Sequence, residues 1–266
     1  MHCGSDKAGG SRRRCGRSTV TLTILQIEAA TISSWPSITS AMDGMWLARF
    51  ARGYSRRSNS MQCLDPADDR EAPARLRRMA DLYALNSRDP IFRVTPLTGA
   101  GVMAALDADG WAPEDESRVL SMPLVRDYPE LADVKAYDAT DRNWLEAVGD
   151  LQGHDKRMRE TLAIIVGLIA HRQAGLLVRD AAGDPAAAAL AVSASGIGVC
   201  HSVVVRSDQR GKGLGRAVMH AALNWARSTG ATDAAIQVLG TNTPAISLYT
   251  SLGFSEAYRY HYRRPR

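Results

Sequence analysis

The spacing of apolar residues in the second half of the chain alternates between a strand period and a helix period. Residues 197–205 are almost continuously apolar, which is typical of a buried strand, and residues 214–228 repeat apolar side chains every three or four positions, which is typical of an amphipathic helix. The same pattern predicts further strands at residues 134–137, 175–179, 187–194, 234–238 and 256–262, and further helices at residues 141–149, at residues 155–169 and after Asn242. We therefore predict a complete α/β unit with a mixed sheet over residues 126–266.

The first half of the chain shows a shorter version of this order. Its pattern predicts helices at residues 25–32, 71–85 and 101–108, and strands at residues 46–50, 54–63, 91–94 and 118–122. The spacing from Leu106 to a Gly–Trp pair equals the spacing from Tyr249 to a Gly–Phe pair. We interpret residues 25–125 as a diverged copy of the later unit, which makes the chain an internal repeat. An unrelated α+β domain is the alternative.

Positive charge is concentrated at the start of the chain. The net charge of the whole sequence is +5, and residues 1–24 hold five basic residues against one acidic residue. We predict a disordered basic tail over residues 1–24; a segment upstream of the natural start and a signal peptide are the alternatives. An arginine-rich tail also suggests nucleic-acid binding as a third function class. We expect no nucleic-acid partner, because the remaining residues carry almost no net charge.

Composition excludes several other classes of protein. No apolar run reaches the roughly 20 residues of a membrane-spanning helix, so we expect no membrane partner. The four cysteines form no C-x-x-C pair and the six histidines show no metal-ligand spacing, so we predict free thiols and no metal site. We expect a cytoplasmic protein that is a monomer or a homodimer.

A glycine-rich segment separates the predicted strand 197–205 from the predicted helix 214–228. Gly211, Gly213 and Gly215 alternate with other residues there. The first backbone N–H groups of a helix have no internal partner and lie at the positive end of its dipole, and glycine lets a ligand approach the backbone. The junction is therefore predicted to bind an anion such as a phosphate or diphosphate. Its spacing fits neither a Walker loop nor the dinucleotide fingerprint.

Two motifs carry a resemblance to a known family. Arg210, Gly213 and Gly215 match R-x-x-G-x-G, and Asn242 and Tyr249 stand in N-x-x-A-x-x-L-Y-x-x-x-G-F. These segments resemble motifs A and B of the GCN5-related N-acetyltransferases, the GNAT superfamily, and one helix and one strand separate them as in that family. The resemblance implies the acyl-CoA N-acyltransferase fold in the C-terminal half, with a degenerate GNAT-like half-domain at the N-terminus.

The same resemblance implies acetyl-CoA as the cofactor. In the family, the loop amides hold the diphosphate and the strand edge pairs with the pantetheine arm. The cofactor-binding residues implied in this way are Val203, Val204, Val205, Arg210, Gly211, Lys212, Gly213, Leu214, Gly215, Arg216 and Asn242. Lys212 is also consistent with a solvated side chain and Asn242 with a helix N-cap, so both alternatives stay open.

The catalytic candidates are Tyr249 and His201. In the family, a tyrosine at the position of Tyr249 donates a proton to the departing thiolate, and a phenol with a pKa of about 10 suits that role; a packed aromatic residue is the alternative. The base is not defined, because Gln237 stands where some relatives carry a glutamate. A water relay, His201 or a carboxylate from the first half could replace it. Cys200 is interpreted as a core thiol rather than a nucleophile.

The first half of the chain lacks the glycine loop. No glycine lies between Tyr54 and Gly99, and three carboxylates in residues 64–69 stand where such a loop would lie. We predict that this half does not bind coenzyme A and instead forms a wall of the acceptor cleft. The leading hypothesis is an acetyl-CoA-dependent N-acetyltransferase that acts on a primary amine of a small molecule or a protein N-terminus by direct attack in a ternary complex. The alternative, suggested by Gln237, is a catalytically silent coenzyme-A-binding sensor or regulatory module.

Overall fold

Eleven strands hydrogen-bond into one mixed sheet in the computed structural model, which describes residues 22–266. The elements of the first half are α1 (Ile24–Ser34), β1 (Thr39–Asp43), β2 (Trp46–Phe50), β3 (Met61–Cys63), α2 (Ala72–Leu85), β4 (Phe92–Val94), α3 (Ala100–Ala108) and β5 (Ala112–Pro123). Those of the second half are β6 (Lys135–Tyr137), α4 (Arg142–Gln152), α5 (Lys156–Gly167), β7 (Arg172–Arg179), β8 (Pro185–Ala194), β9 (Ile197–Val205), α6 (Leu214–Ser228), β10 (Asp233–Leu239), α7 (Thr243–Leu252) and β11 (Ser255–Arg264). The predicted mixed α/β fold is confirmed.

The strand and the helix that flank the glycine loop have the bounds predicted from the apolar pattern. The helix α6 packs on β8 and β9 so closely that a Cβ atom at Gly198 would lie 2.4 Å from the Cβ of Ala226. The alanine-rich strand β8 is buried on both faces, because helices cover the sheet from each side. None of the helices within residues 22–266 has the length and apolar composition needed to cross a membrane.

The strand predicted over residues 54–63 is wrong for most of its length. Only its last three residues form β3, and Arg56–Ser58 forms a short 3₁₀ turn. The side chain of Asn59 holds this loop: its Oδ1 accepts hydrogen bonds from the backbone N–H groups of Ala51 (2.8 Å) and Gly53 (2.9 Å), and its Nδ2 donates to the carbonyl of Ser55 (2.7 Å). A side chain that binds backbone groups in this way competes with strand pairing. The strand β1 was not predicted from the sequence.

The two halves of the chain exchange strands at the centre of the sheet. The strand order is β1-β2-β3-β4-β11-β5-β10-β9-β8-β7-β6. The last strand of the chain, β11, therefore lies between β4 and β5 of the first half, and β5 lies between β11 and β10 of the second half, all in antiparallel pairs. The order β3-α2-β4-α3-β5 repeats the order β9-α6-β10-α7-β11, as the internal repeat predicts. The predicted boundary between residues 125 and 126 falls in the connection from β5 to β6.

A buried ion pair fastens α1 to this central region. Glu28 is fully buried and its carboxylate accepts a hydrogen bond from the Arg93 guanidinium (2.9 Å), while Gln62 and Tyr258 donate to the same carboxylate. Burial raises the pKa of Glu28, but the charge and hydrogen bonds of Arg93 outweigh it, so the pKa lies below its ordinary value. The carboxylate therefore stays ionised inside the protein and binds residues of β3, β4 and β11 together. The predicted tail, residues 1–24, lies outside the described residues except for its last three, of which Thr23 caps α1.

Candidate active site

The strands β9 and β10 separate partway along their length. They pair in parallel up to Cys200 of β9 and Ile236 of β10, and no pairing follows among the described residues. On its other edge β9 carries a one-residue bulge against β8, and Ser202 in this bulge has a φ of +49°. Because a bulge bends a strand and breaks its register, residues 203–205 turn away from β10 and leave one edge free.

A cavity of about 810 Å³ opens along this free edge. This volume lies in the range of small-molecule sites. The residues that line it are Val203, Val204, Val205, Gln209, Arg210, Gly211, Gly213, Leu214, Gly215, Arg216, Asn242, Pro244, Ala245, Ser247, Leu248, Tyr249 and Ser251. The structure therefore brings together every predicted cofactor-binding residue except Lys212. Of the two catalytic candidates, this cavity contains Tyr249 and not His201.

The glycine loop supplies unpaired hydrogen-bond donors to this cavity. Gly213 is the N-cap of α6 with a φ of 81°, and no side chain caps the helix. Within residues 22–266, none of the six backbone N–H groups from 211 to 216 has a hydrogen-bond acceptor. Glycine tolerates the positive φ that this turn requires at residues 211 and 213. Six free donors at the positive end of a helix form an anion-binding site.

The charged side chains at the loop agree with an anionic ligand. Arg210 and Arg216 line the cavity, and no aspartate or glutamate of the described chain does. Arg216 donates to the Ser251 hydroxyl at 2.8 Å, which holds its guanidinium across the gap between α6 and α7. Lys212 is exposed and its Nζ donates to Gln209 Oε1 at 3.0 Å, so its side chain lies outside the cavity lining.

The helix α7 contributes Tyr249 to the cavity, and its N-cap residue, Asn242, also lines the cavity. The Asn242 Oδ1 accepts a hydrogen bond from the N–H of Ala245 at 3.2 Å, so the predicted N-cap is present while the residue also lines the cavity. Tyr249 is only 5% exposed, and burial together with Cys200 raises the pKa of its phenol. The buried Tyr83 and Tyr258 donate their hydroxyls to protein acceptors, whereas the Tyr249 hydroxyl has no partner among the described residues.

Cys200 is a core thiol in the structure. It is buried in the same cluster as Tyr249, and burial raises the pKa of its thiol to about 12. At neutral pH the thiol is therefore protonated, which makes it a poor nucleophile. This placement agrees with the interpretation of Cys200 as a packing residue. No group of three or more His, Cys, Asp or Glu side chains in residues 22–266 is arranged to hold a metal ion.

His201 lies on the opposite face of the sheet from Tyr249. Successive residues of a strand point to opposite faces of the sheet. Cys200 faces α6 and α7, whereas the next residue, His201, contacts α1 on the other face. Its Nε2 lies 2.9 Å from the Ser34 hydroxyl, and its Nδ1 lies 3.5 Å from the Arg57 guanidinium. Because arginine only donates, Nδ1 is the acceptor and Nε2 carries the proton. Burial, with the nearby Arg57 and Arg49, holds the pKa of His201 well below its ordinary value.

A second cavity, of about 210 Å³, lies on this face beside Arg57, the residue that contacts His201. Its lining residues are Ser55, Arg56, Arg57, Ser117, Gln237, Val238, Leu239, Tyr260 and Tyr262. The Oε1 atom of Gln237 lies 3.4 Å from both the Arg57 guanidinium and the Tyr260 hydroxyl, which both donate to it. Gln237, Val238 and Leu239 of β10 follow Ile236, the last residue paired with β9, so this smaller cavity lies where the two strands have separated.

Two residues of the smaller cavity, Arg57 and Tyr260, are not among the site residues predicted from the sequence. Arg57 lies in the loop that was predicted to be a strand, so no site was expected there. Tyr260 reaches the cavity because β11 crosses to β5 rather than pairing with β10. An arginine in a polar, serine-rich segment (Ser55, Ser58, Ser60) was the one available signal for a loop.

The corresponding loop of the first half is filled by its own side chains. Asp68 pairs with Arg75 of α2 at 2.8 Å, and Asp69 accepts a hydrogen bond from the N–H of Gly101 at the start of α3. The N-cap of α2 is Glu71, followed by a proline in the first turn that has no N–H to offer. Carboxylates thus stand where α6 presents free donors, and that this half does not bind coenzyme A stays a prediction.

Two solved structures of GNAT proteins share this fold. The chain is similar to a GCN5-related N-acetyltransferase from Kribbella flavida, with a TM-score of 0.68 and 18% identity over 91% of this chain and 95% of that one. It is also similar to a tandem GNAT protein from the clavulanic acid biosynthesis pathway, with a TM-score of 0.63 and 15% identity over 88% and 86% of the two chains. These similarities show the fold: it is the fold of GNAT structures, in the tandem arrangement.

Sequence comparison gives the family. Residues 21–263 match the family described as "Probable histone acetyltransferase Rv0428c C-terminal", and the chain belongs to that family. It is 26% identical over 250 residues to the "Uncharacterized N-acetyltransferase YobR" of Bacillus subtilis strain 168, which covers 91% of this chain and 99% of that protein. The resemblance drawn from the two motifs is therefore confirmed, and the protein is an N-acetyltransferase.

Proposed function

We propose that the protein transfers an acetyl group from acetyl-CoA to a primary amine by direct attack in a ternary complex. The observation that carries this proposal is the row of six unpaired N–H groups beside a cavity that continues along a free strand edge to Tyr249. A diphosphate would complete the hydrogen bonds of the loop, and an amide-bearing chain would complete those of residues 203–205. These two requirements together describe coenzyme A better than a simple phosphate.

The residues present fit this cofactor. Arg210 and Arg216 would neutralise the diphosphate, and the loop amides 211–216 would bind its oxygens. A Cβ atom on Gly215 would lie 3.3 Å from Leu248, so the glycine keeps the cavity open at its narrow side. When bound, acetyl-CoA supplies the acetyl group and a thiolate that must be protonated as it leaves. In our proposal, residues 126–266 form this cofactor site. The degenerate first half, residues 25–125, contributes only to the cleft that binds the acceptor amine.

Tyr249 is proposed to hold the proton that the leaving group needs. Its phenol lines the cavity, has no partner among the described residues, and has a raised pKa, so it carries its proton at neutral pH. A general acid must stabilise the transition state more than the ground state. A neutral phenol beside the sulfur does so, because the negative charge that it stabilises appears only as the thiolate leaves.

No side chain of either cavity is proposed as the base. Neither lining contains a carboxylate, and Gln237 cannot accept a proton from an ammonium group. His201 has a depressed pKa and is hydrogen-bonded to Ser34, so it is a weak base outside both linings. We propose that the acceptor loses its proton to water and that His201 positions Arg57. This mechanism is compatible with several acceptors: small amines, protein N-termini and the histones named in the family description.

The test is a calorimetric titration of the full chain with acetyl-CoA, with S-acetylpantetheine as the matched ligand that lacks the diphosphate. We expect acetyl-CoA to bind and raise the melting temperature, and S-acetylpantetheine to bind at least 100-fold more weakly. Equal affinities would show that the loop does not bind the diphosphate. Binding without thiol release across a broad amine panel would favour the sensor function instead.

A further inference from the structure

The smaller cavity contains one cation that no carboxylate neutralises. Arg56 forms ion pairs with Glu114 (3.3 Å) and Asp115, so its charge is balanced. Arg57 forms no ion pair within residues 22–266; its guanidinium contacts only Gln237, His201 and the face of Trp35. Arginine is always charged at neutral pH. An unbalanced guanidinium therefore stands in the wall of this cavity.

The groups behind Arg57 do not supply the missing negative charge. His201 is neutral because its pKa is depressed. The guanidinium of Arg49 is buried and binds only backbone carbonyls, those of Arg57 (2.8 Å), Trp35 and Ile32. Glu28 is the only buried carboxylate within residues 22–266, and it is already paired with Arg93. The cavity therefore has a positive potential and would attract an anionic group.

The position of this cavity suits the acceptor. Gln237, which contacts Arg57, is the first β10 residue beyond the end of the β9 pairing, and residues 203–205 of β9, which line the larger cavity, lie across the gap between the two separated strands. A ligand held by Arg57 would have its other end beside this gap. At about 210 Å³ the cavity is smaller than the 300–1,000 Å³ of drug-sized ligand sites, which limits the bound part to roughly the size of an amino acid.

We propose that the acceptor is an amine that also carries a carboxylate, of the amino-acid class, and that Arg57 binds this carboxylate while the nitrogen points into the gap. This assignment rests on the proposed function. The planar guanidinium can bind a carboxylate with two parallel hydrogen bonds, which fixes both position and orientation. Its charge also favours the neutral form of the nearby amine, which is the reactive form, so the site needs no carboxylate base. A lysine-rich peptide would be repelled by the same charge.

The experiment compares each amino acid of a panel with its carboxamide, which keeps the shape and removes the negative charge. Binding is measured by calorimetry without acetyl-CoA, and turnover by thiol release with acetyl-CoA. For the best acceptor we expect the free acid to be preferred over the amide by about 10- to 100-fold, the range that one charge-assisted hydrogen-bond pair provides. A lysine-rich peptide should be a poorer acceptor than the best free acid.

Two variants and one control connect this preference to Arg57. Arg57→Gln should raise the KM of the acid until acid and amide are equal, with unchanged acetyl-CoA affinity, and Arg57→Lys should restore part of the preference. The control is Arg142→Gln, because the side chain of Arg142 is 89% exposed on α4 and pairs only with its helix neighbour Glu146. This variant should behave as the wild type.

The outcomes separate this assignment from the proposed function. Absence of acetyl-CoA binding would contradict the proposed function itself. If acetyl-CoA binds but amides and acids are equivalent, if a lysine-rich peptide is the better acceptor, or if Arg57→Gln leaves the acid preference intact in a folded protein, the assignment of the acceptor class is overturned while the cofactor site stands.

Discussion

Replacing Tyr249 with phenylalanine removes one oxygen atom and tests the proposed proton donor directly. The hydroxyl makes no hydrogen bond with the described residues, so its loss leaves no protein partner unsatisfied. We therefore expect the free energy of unfolding to change by less than about 0.5 kcal/mol, the range of substitutions that disturb no specific contact. The affinity for acetyl-CoA should also be unchanged, because the ring that lines the cavity remains.

The loss should appear in turnover. General acid catalysis contributes about 10²- to 10⁴-fold to a rate, which corresponds to about 3 to 5 kcal/mol of transition-state stabilisation. We expect kcat to fall by this factor in a thiol-release assay with saturating acetyl-CoA and the best amine acceptor. The affinity for acetyl-CoA, measured by calorimetry, serves as the internal control for an intact cofactor site.

The matched control is Tyr258→Phe, which should lower stability and leave turnover unchanged. The buried hydroxyl of Tyr258 donates to the Glu28 carboxylate and lines neither of the two cavities, and hydrogen bonds to charged groups contribute about 1.5 to 3 kcal/mol. Tyr258→Phe should therefore lower the melting temperature by about 3 to 10 °C and leave the turnover of the folded protein unchanged. If Tyr249→Phe keeps full turnover, or if the two variants lose activity equally, Tyr249 is not the proton donor.

Three further predictions concern the site and the core. Gly215→Ala places a methyl group 3.3 Å from Leu248. The free energy of unfolding in urea should stay unchanged or rise by up to about 1 kcal/mol, whereas the affinity for acetyl-CoA should fall about tenfold. An unchanged affinity would contradict the proposed contact. Asn242→Ala removes the N-cap of α7 and should cost about 1 kcal/mol of unfolding free energy; no loss in urea titration would show that the cap is dispensable. Glu28→Gln leaves Arg93 unpaired and should cost about 3 to 5 kcal/mol. Because the pKa of Glu28 is lowered by folding, its contribution is complete above the unfolded pKa and is lost as the pH falls through the folded pKa, so the wild type should lose its advantage over this variant in acid; a constant difference between pH 7 and pH 3 would contradict this.

The glycine loop of the larger cavity could be predicted from the sequence, because its residues are contiguous in the chain. The glycines at 211, 213 and 215 and the apolar period of residues 214–228 specify a strand, a turn and a helix start by themselves. The free donors follow from the geometry of any helix N-terminus. The residues brought to the larger cavity are therefore nearly those that the two motifs name.

The smaller cavity could not be predicted, because its residues come from distant parts of the sequence. Arg57 reaches Gln237 across 180 positions of sequence, and Tyr260 reaches the same amide only because β11 pairs with β5. The apolar period of a strand says which face is buried but not which strand lies beside it. The Asn59 side chain, which turns residues 54–60 into a loop, acts through three backbone contacts that propensity does not register.

The exchange of β5 and β11 between the halves has a consequence for how the protein is made. Ribosomal synthesis delivers β4 and β5 early, yet the strand that belongs between them, β11, is the last to emerge. Domains usually fold in the order of their synthesis, but here β4 and β5 cannot complete their pairing until β11 has emerged. A truncated chain would then expose unpaired strand edges to aggregation, whereas two separately expressed fragments could dock by mutual strand donation, as in split-protein reconstitution.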